Sequence, residues 1–112
     1  MSSRIRISKA GGTWTVRAGG AIIGESSAAL ELVEDGYAPV IYFPRNDIAM
    51  AFLDRSSRSS ECEHKGKASY FSIVTKSTVL KNAGWSYETP NSDLAAIAGH
   101  IAFYSSDAVT VG

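Results

Sequence analysis

The chain has 112 residues, eleven basic against eleven acidic side chains, 45% apolar and 20% charged residues, which excludes a disordered or fibrous class. Its formal net charge of zero argues against nonspecific binding to nucleic acid or an anionic membrane. The single cysteine excludes an internal disulfide and a zinc site of several thiolates, and no apolar run approaches a signal peptide core or the ~18 residues of a membrane span.

Arg4 to Ser8 alternates Ile5 and Ile7 with Arg4 and Arg6, the period of a half-buried strand, and Gly11-Gly12 then supplies a turn. Thr13 to Arg17 repeats the alternation through Trp14 and Val16, and Gly19-Gly20 makes the next reversal, so two successive hairpins and a meander are expected. Ala28 to Val33 reads as a strand ending at the Glu34-Asp35-Gly36 turn. Val40 to Phe43 is short, rich in β-formers and apolar on both faces, which predicts a central strand stopped by Pro44. Asn46 can cap a short helix, with Ile48, Ala51 and Phe52 forming one apolar stripe through Leu53.

The stretch from Asp54 to Ser60 is small, polar and aperiodic, the pattern of a surface loop. Ser69 to Val74 returns to strand, as do Thr78 to Leu80 and Trp85 to Tyr87, the last reached through Asn82-Ala83-Gly84. Pro90, Asn91 and Ser92 introduce a second short helix with Leu94, Ile97 and Ala98 on one stripe and a stop at Gly99. His100 to Tyr104 and a terminal edge strand through Val109 and Val111 complete the chain. The expected fold is mainly β (α+β) over residues 1–112 as a single domain, a small antiparallel curled sheet or half-open barrel with two short helices.

Chemistry is densest from Ser59 to Ser72, which holds Cys62, His64, Lys65, Gly66 and Lys67 ahead of Tyr70. Cationic neighbours and a histidine could activate Cys62 as a nucleophile or redox thiol, while Glu61 and Glu63 oppose that effect. Cys62, His64 and His100 could be written as zinc ligands, but Cys-x-His is shorter than the usual spacing and no second ligand pair follows, so no metal is expected. Lys65-Gly66-Lys67 has the parts of an anion cradle without the Walker spacing. Tyr42, Tyr70, Trp85, Tyr87 and Tyr104 form an aromatic set whose ordinary place is the core, with Trp85 and Tyr87 the pair most suited to a pocket rim. Arg45 and Asp47 flank the first helix, as a surface ion pair or as contacts for a polar ligand.

Several pieces in order resemble a bacterial family, the domain of unknown function 427, which also carries a nucleotidyltransferase-like label. They are Ile23-Gly24-Glu25-Ser26; Val40 through Ile48; Cys62 through Tyr70; Ala83-Gly84-Trp85-Ser86-Tyr87 with Pro90; and Ile97 through Tyr104. Glu63 and His64 stand where the family usually has Pro and an aromatic, and His100 falls where it does not call for histidine. The resemblance implies that a shared site is drawn from Tyr42, Asp47, Cys62, Lys65, Gly66, Tyr70, Trp85 and Tyr87. It implies no activity, since neither a paired-carboxylate metal motif nor a phosphate-binding glycine loop is present.

These readings converge on a cytoplasmic domain binding a small anionic or nucleotide-like ligand in a cleft with Cys62, Lys65, Gly66, Tyr70, Trp85, Tyr87, Tyr42, Arg45 and Asp47. An enzyme using Cys62 is the first alternative. An interaction module, pairing an exposed sheet edge with a partner or as a homodimer, is the second. No cofactor is assigned.

Overall fold

The computed structural model describes residues 4–63 and 65–112. Ten strands form three antiparallel sheets among these residues: β1 (Ile5–Lys9), β4 (Leu30–Glu34) and β5 (Val40–Tyr42) in the order β1-β4-β5; β10 (Val109–Val111), β2 (Trp14–Ala18) and β3 (Ala21–Ser26) in the order β10-β2-β3; and β6 (Leu53–Cys62), β7 (Gly66–Val74), β8 (Val79–Ser86) and β9 (Ala102–Phe103) in chain order. The mainly β expectation holds, but the single curled sheet or half-open barrel is replaced by three sheets.

The alternation of side chains along the third sheet explains this division. Phe71, Ile73, Ala83 and Phe103 join Val16, Ile23 and Val109 of the second sheet in one apolar cluster. Ala68, Tyr70 and Ala102 turn to the other side and pack with Leu32, Tyr42, Tyr87, Leu94 and Ile97. Successive strand residues point to opposite faces, so a strand apolar at every position is buried on both. β5 behaves the same way at its end: Tyr42 enters the second cluster and its neighbour Phe43 the first, both essentially inaccessible. β5 is not central, since it lies at the end of its sheet. Phe43 continues it into a reciprocal backbone pair with Ile101, at 2.8 and 2.9 Å, that ties the first sheet to the third.

The expected β1–β2 hairpin is absent. Gly11 and Gly12 do adopt positive φ, but they pass the chain between sheets: β1 pairs with β4, Ile7 opposite Leu32, whereas β2 pairs with β3 and β10. Ile5 and Ile7 pack against the Tyr-containing cluster and Trp14 against the other, so the two strands serve different cores. The β2–β3 hairpin through Gly19-Gly20 and the terminal edge strand are as expected.

The first predicted helix is two short 3₁₀ segments, Arg45–Asp47 and Met50–Phe52, with no side-chain cap from Asn46. Ile48 between them is extended because it bridges Gly24 of β3, where any Cβ would overlap the Ile48 side chain and the Asp47 carbonyl. The second is also 3₁₀, Ser92–Ile97, kinked at Leu94 and capped at Ala98, one residue before Gly99 with φ +72°. The expected loop from Asp54 to Ser60 is instead part of β6, which among the described residues pairs only with β7 and has an irregular register between Arg55 and Ser59. An exposed edge strand places little in a core, so its sequence carries no apolar alternation to read.

Candidate functional site

Leu30, Leu32 and Glu34 share one parity along β4, so the strand aims a carboxylate in the direction that buries Leu32. Glu34 is 7% exposed, and a buried carboxylate needs a partner. Its partner comes from the β6–β7 hairpin. There the Lys65 N–H donates to the Cys62 carbonyl at 3.1 Å, and Gly66 takes φ +107° to enter β7. The hairpin is fastened from outside: Asn91 N–H donates to the Lys65 carbonyl and Asn91 Nδ2 to the Glu63 carbonyl, each at 3.1 Å.

Lys65 Nζ thereby reaches Glu34 Oε1 at 2.8 Å and lies 3.8 Å from Cys62 Sγ. Their side chains are 15% and 8% exposed for Lys65 and Glu34. Burial pulls the Lys65 ammonium toward its neutral form, but the Glu34 hydrogen bond and the nearby Tyr87 and Cys62 outweigh it, so its pKa is raised.

Aromatic side chains from β5, β7, β8 and the segment after β9 surround this pair. Trp85 Nε1 donates to the Tyr42 hydroxyl at 3.2 Å and meets the Tyr42 ring edge to face, centroids 6.3 Å apart. Tyr104 lies against Trp85 at 4.4 Å with the planes tilted by 40°. The Tyr70 hydroxyl bonds Ser60 Oγ at 2.9 Å, and the Arg58 guanidinium sits 4.8 Å from the Tyr70 ring centroid. Burial holds the Tyr42 phenol well above its ordinary pKa, raises Tyr87 in the same direction, and raises Tyr104 to about 12. Tyr70 is lowered, chiefly by its Ser60 hydrogen bond, with burial working against that.

These groups enclose a cavity of about 380 Å³. Six of the residues singled out from sequence line it: Tyr42, Cys62, Lys65, Tyr70, Trp85 and Tyr87. Glu34, Tyr37 and Tyr104, which the sequence does not mark as site residues, complete its polar and aromatic wall. Glu34 had a readable signal, the third member of an inward-facing Leu-x-Leu-x-Glu alternation, although it also looked like the first residue of a turn. Tyr104 belonged to the aromatic set but was assigned to the core, whereas it is 48% exposed. Tyr37 stands at 70% exposure just beyond Gly36, where no periodicity marks it. A second cavity of about 350 Å³, walled by Trp14, Ile41, Phe103 and Val111, shares Val40, Trp85 and Tyr104 with the first.

Arg45, Asp47 and Gly66 lie outside the cavity lining and have structural work. Arg45 Nε donates to the Gly99 carbonyl at 3.1 Å, while its guanidinium pairs with Glu88 at 3.2 Å and lies 5.5 Å from the Phe71 ring centroid. Glu88 also pairs with Arg55 at 2.8 Å. Asp47 accepts from Ser26 Oγ at 2.6 Å, joining the Ile23–Ser26 and Arg45–Ile48 stretches. Gly66 is required by close approach: a Cβ would sit 3.3 Å from the Thr89 carbonyl oxygen and 3.4 Å from Pro90 Cα, beside a positive φ. His100 sets Nδ1 at 3.2 Å from the Ala98 carbonyl and does not line the cavity. The reading of His64 lies outside the described residues.

Among the described residues, no three His, Cys, Asp or Glu side chains gather as a metal-binding group, and no helix is long and apolar enough to cross a membrane. The cavity offers an ammonium, a carboxylate, a thiol and phenolic hydroxyls against aromatic surface. No curated protein matches the chain. A family model described as Domain of unknown function (DUF427), with the label NTP_transf_9, matches residues 6–112. That range takes in the Gly24–Ile48 contact, the Cys62–Lys65 turn and the aromatic wall, and the chain belongs to the domain of unknown function 427 family.

Proposed function

We propose that this domain binds a small flat ligand, anionic or nucleotide-like, in the cavity between β4, the Cys62–Lys65 turn and the aromatic wall. The observation that carries the proposal is convergence: Tyr42, then Cys62, Lys65 and Tyr70, then Trp85 and Tyr87, from three separate stretches of the sequence, line one cavity of about 380 Å³. Its size and its mixture of aromatic surface with a few polar groups suit a small-molecule site. Trp85 spends its N–H on Tyr42 and so contributes apolar ring surface to both cavities.

The test is calorimetric titration with 8-anilinonaphthalene-1-sulfonate, an aromatic probe bearing one anion. Binding to the wild type, weakened at least tenfold in folded Lys65→Met and Trp85→Leu variants, is expected. Equal affinity in both variants would overturn the assignment of the cavity.

The Lys65 ammonium at 3.8 Å from Cys62 Sγ favours one second reading, an enzyme in which Cys62 is the nucleophile. It predicts that iodoacetamide alkylates Cys62 faster in the folded protein than in the unfolded chain, with the sulfur–carbon bond forming as iodide leaves. A folded-state rate at or below the unfolded one removes it.

A further inference from the structure

We infer that the ligand of this cavity presents a neutral lactam edge, an adjacent ring carbonyl and N–H, to the Glu34–Lys65 pair. The inference rests on the small-ligand reading above and names the chemistry that the wall would recognise. Lys65 is not a free cation: Glu34 Oε1 already accepts from its Nζ at 2.8 Å, with both side chains largely withdrawn from water. A bare phosphate or carboxylate placed here would have to pull Lys65 from Glu34, or share a poorly hydrated site with that carboxylate, and either arrangement costs free energy.

The pair is better described as a fixed donor beside a fixed acceptor. An ammonium has three N–H donors, so Lys65 can keep Glu34 and still donate to a ring carbonyl. An ionised carboxylate has about four acceptor positions, so Glu34 can keep Lys65 and still accept from a ring N–H. A lactam offers these two groups on adjacent atoms with no charge to neutralise. Both contacts are charge-assisted, the stronger class of hydrogen bond.

The rest of the wall fits a flat heterocycle. Trp85 and Tyr42 satisfy one another, leaving ring surface for stacking, and Tyr70 contributes a hydroxyl already held by Ser60. Tyr37, 70% exposed among the lining residues, can swing over the outer face of a bound ring without breaking a buried contact. A site built to hydrogen-bond a ligand N–H discriminates strongly against an analogue lacking it, because its own buried acceptor is left unpaired.

The test uses the intact wild-type protein and three probes of similar size: quinazolin-4(3H)-one, its 3-methyl derivative, and naphthalene-2-sulfonate. Calorimetry or ligand-observed NMR should show the lactam binding and the N-methylated ring at least tenfold weaker. A folded Glu34→Gln variant should lose most of that discrimination. Equal binding of the lactam and its N-methyl derivative overturns the inference. Binding of the sulfonate without the lactam also overturns it while leaving the small-ligand reading intact, and binding of none of the three removes both.

Discussion

On one face of the four-stranded sheet, Phe71, Ile73 and Phe103 pack with Val16, Ile23, Phe43 and Val109, a cluster whose buried members, among the described residues, are all aliphatic or phenyl side chains. On the other face, Tyr70 and Ala102 pack with Leu32, Tyr42 and Tyr87, and every tyrosine of that cluster also lines the cavity. The two faces are built from alternate residues of the same strands, so their difference comes from side-chain choice. A hydroxyl inside a core needs a hydrogen-bond partner, and the tyrosine face supplies several beside a buried ion pair. One face consolidates the fold; the other keeps polar groups where a ligand could meet them.

The sharpest way to break this comparison is to damage the apolar face alone. Phe43→Ala removes a fully buried ring and should cost roughly 3–5 kcal/mol in urea unfolding. A loss under about 1 kcal/mol would mean that this cluster is not the main store of stability. On the tyrosine face, Lys65→Met strands the Glu34 carboxylate and should cost about 3 kcal/mol. The double variant Glu34→Leu with Lys65→Met should lose less than the two single losses combined, since no uncompensated charge remains; strict additivity would show that the pair is not coupled.

Alkaline pH separates the faces next. The Tyr42 phenol is held far above its ordinary pKa, so the unfolded chain gives up that proton first, and stability present below about pH 10 is lost as pH rises further. Tyr87 and Lys65, also raised, act in the same direction. Tyr42→Phe should therefore flatten the dependence of unfolding free energy on pH above pH 10 by about 1.4 kcal/mol per pH unit. An unchanged slope would place the Tyr42 ionisation elsewhere. The smallest effect belongs to Tyr37→Ala: within about 0.5 kcal/mol of wild-type stability, because the side chain is exposed, yet with weakened binding of a ring probe in the cavity.

Most strands were legible because half-buried and doubly buried strands print their period in the sequence: Ile5 and Ile7, Trp14 and Val16, and Val40 through Phe43 each did so. Which strand pairs with which was not legible, since a glycine pair permits a hairpin and a crossing between sheets alike, and Gly11-Gly12 does the second. The stripe Ile48, Ala51 and Phe52 suggested a helix, but a tertiary contact with Gly24 holds Ile48 extended and splits the segment. The polar edge strand β6 was hidden by its exposure.

The cavity was legible where residue type and family resemblance agreed, at Tyr42, Cys62, Lys65, Tyr70, Trp85 and Tyr87. Arg45, Asp47 and Gly66 share the same motif stretches but lie outside the cavity lining, and their contacts across the chain are invisible until the fold is known. Glu34 was the residue most within reach and missed, because its turn chemistry masked the parity that sends it inward.

The bond between Glu34 and Lys65 joins positions thirty-one residues apart, and the backbone on both sides is pinned independently of those side chains. The two positions are therefore a matched setting on a fixed frame. A change at one of them alone would leave a charge unpaired in the interior, whereas a paired change to neutral side chains would leave the sheets that hold them as they are.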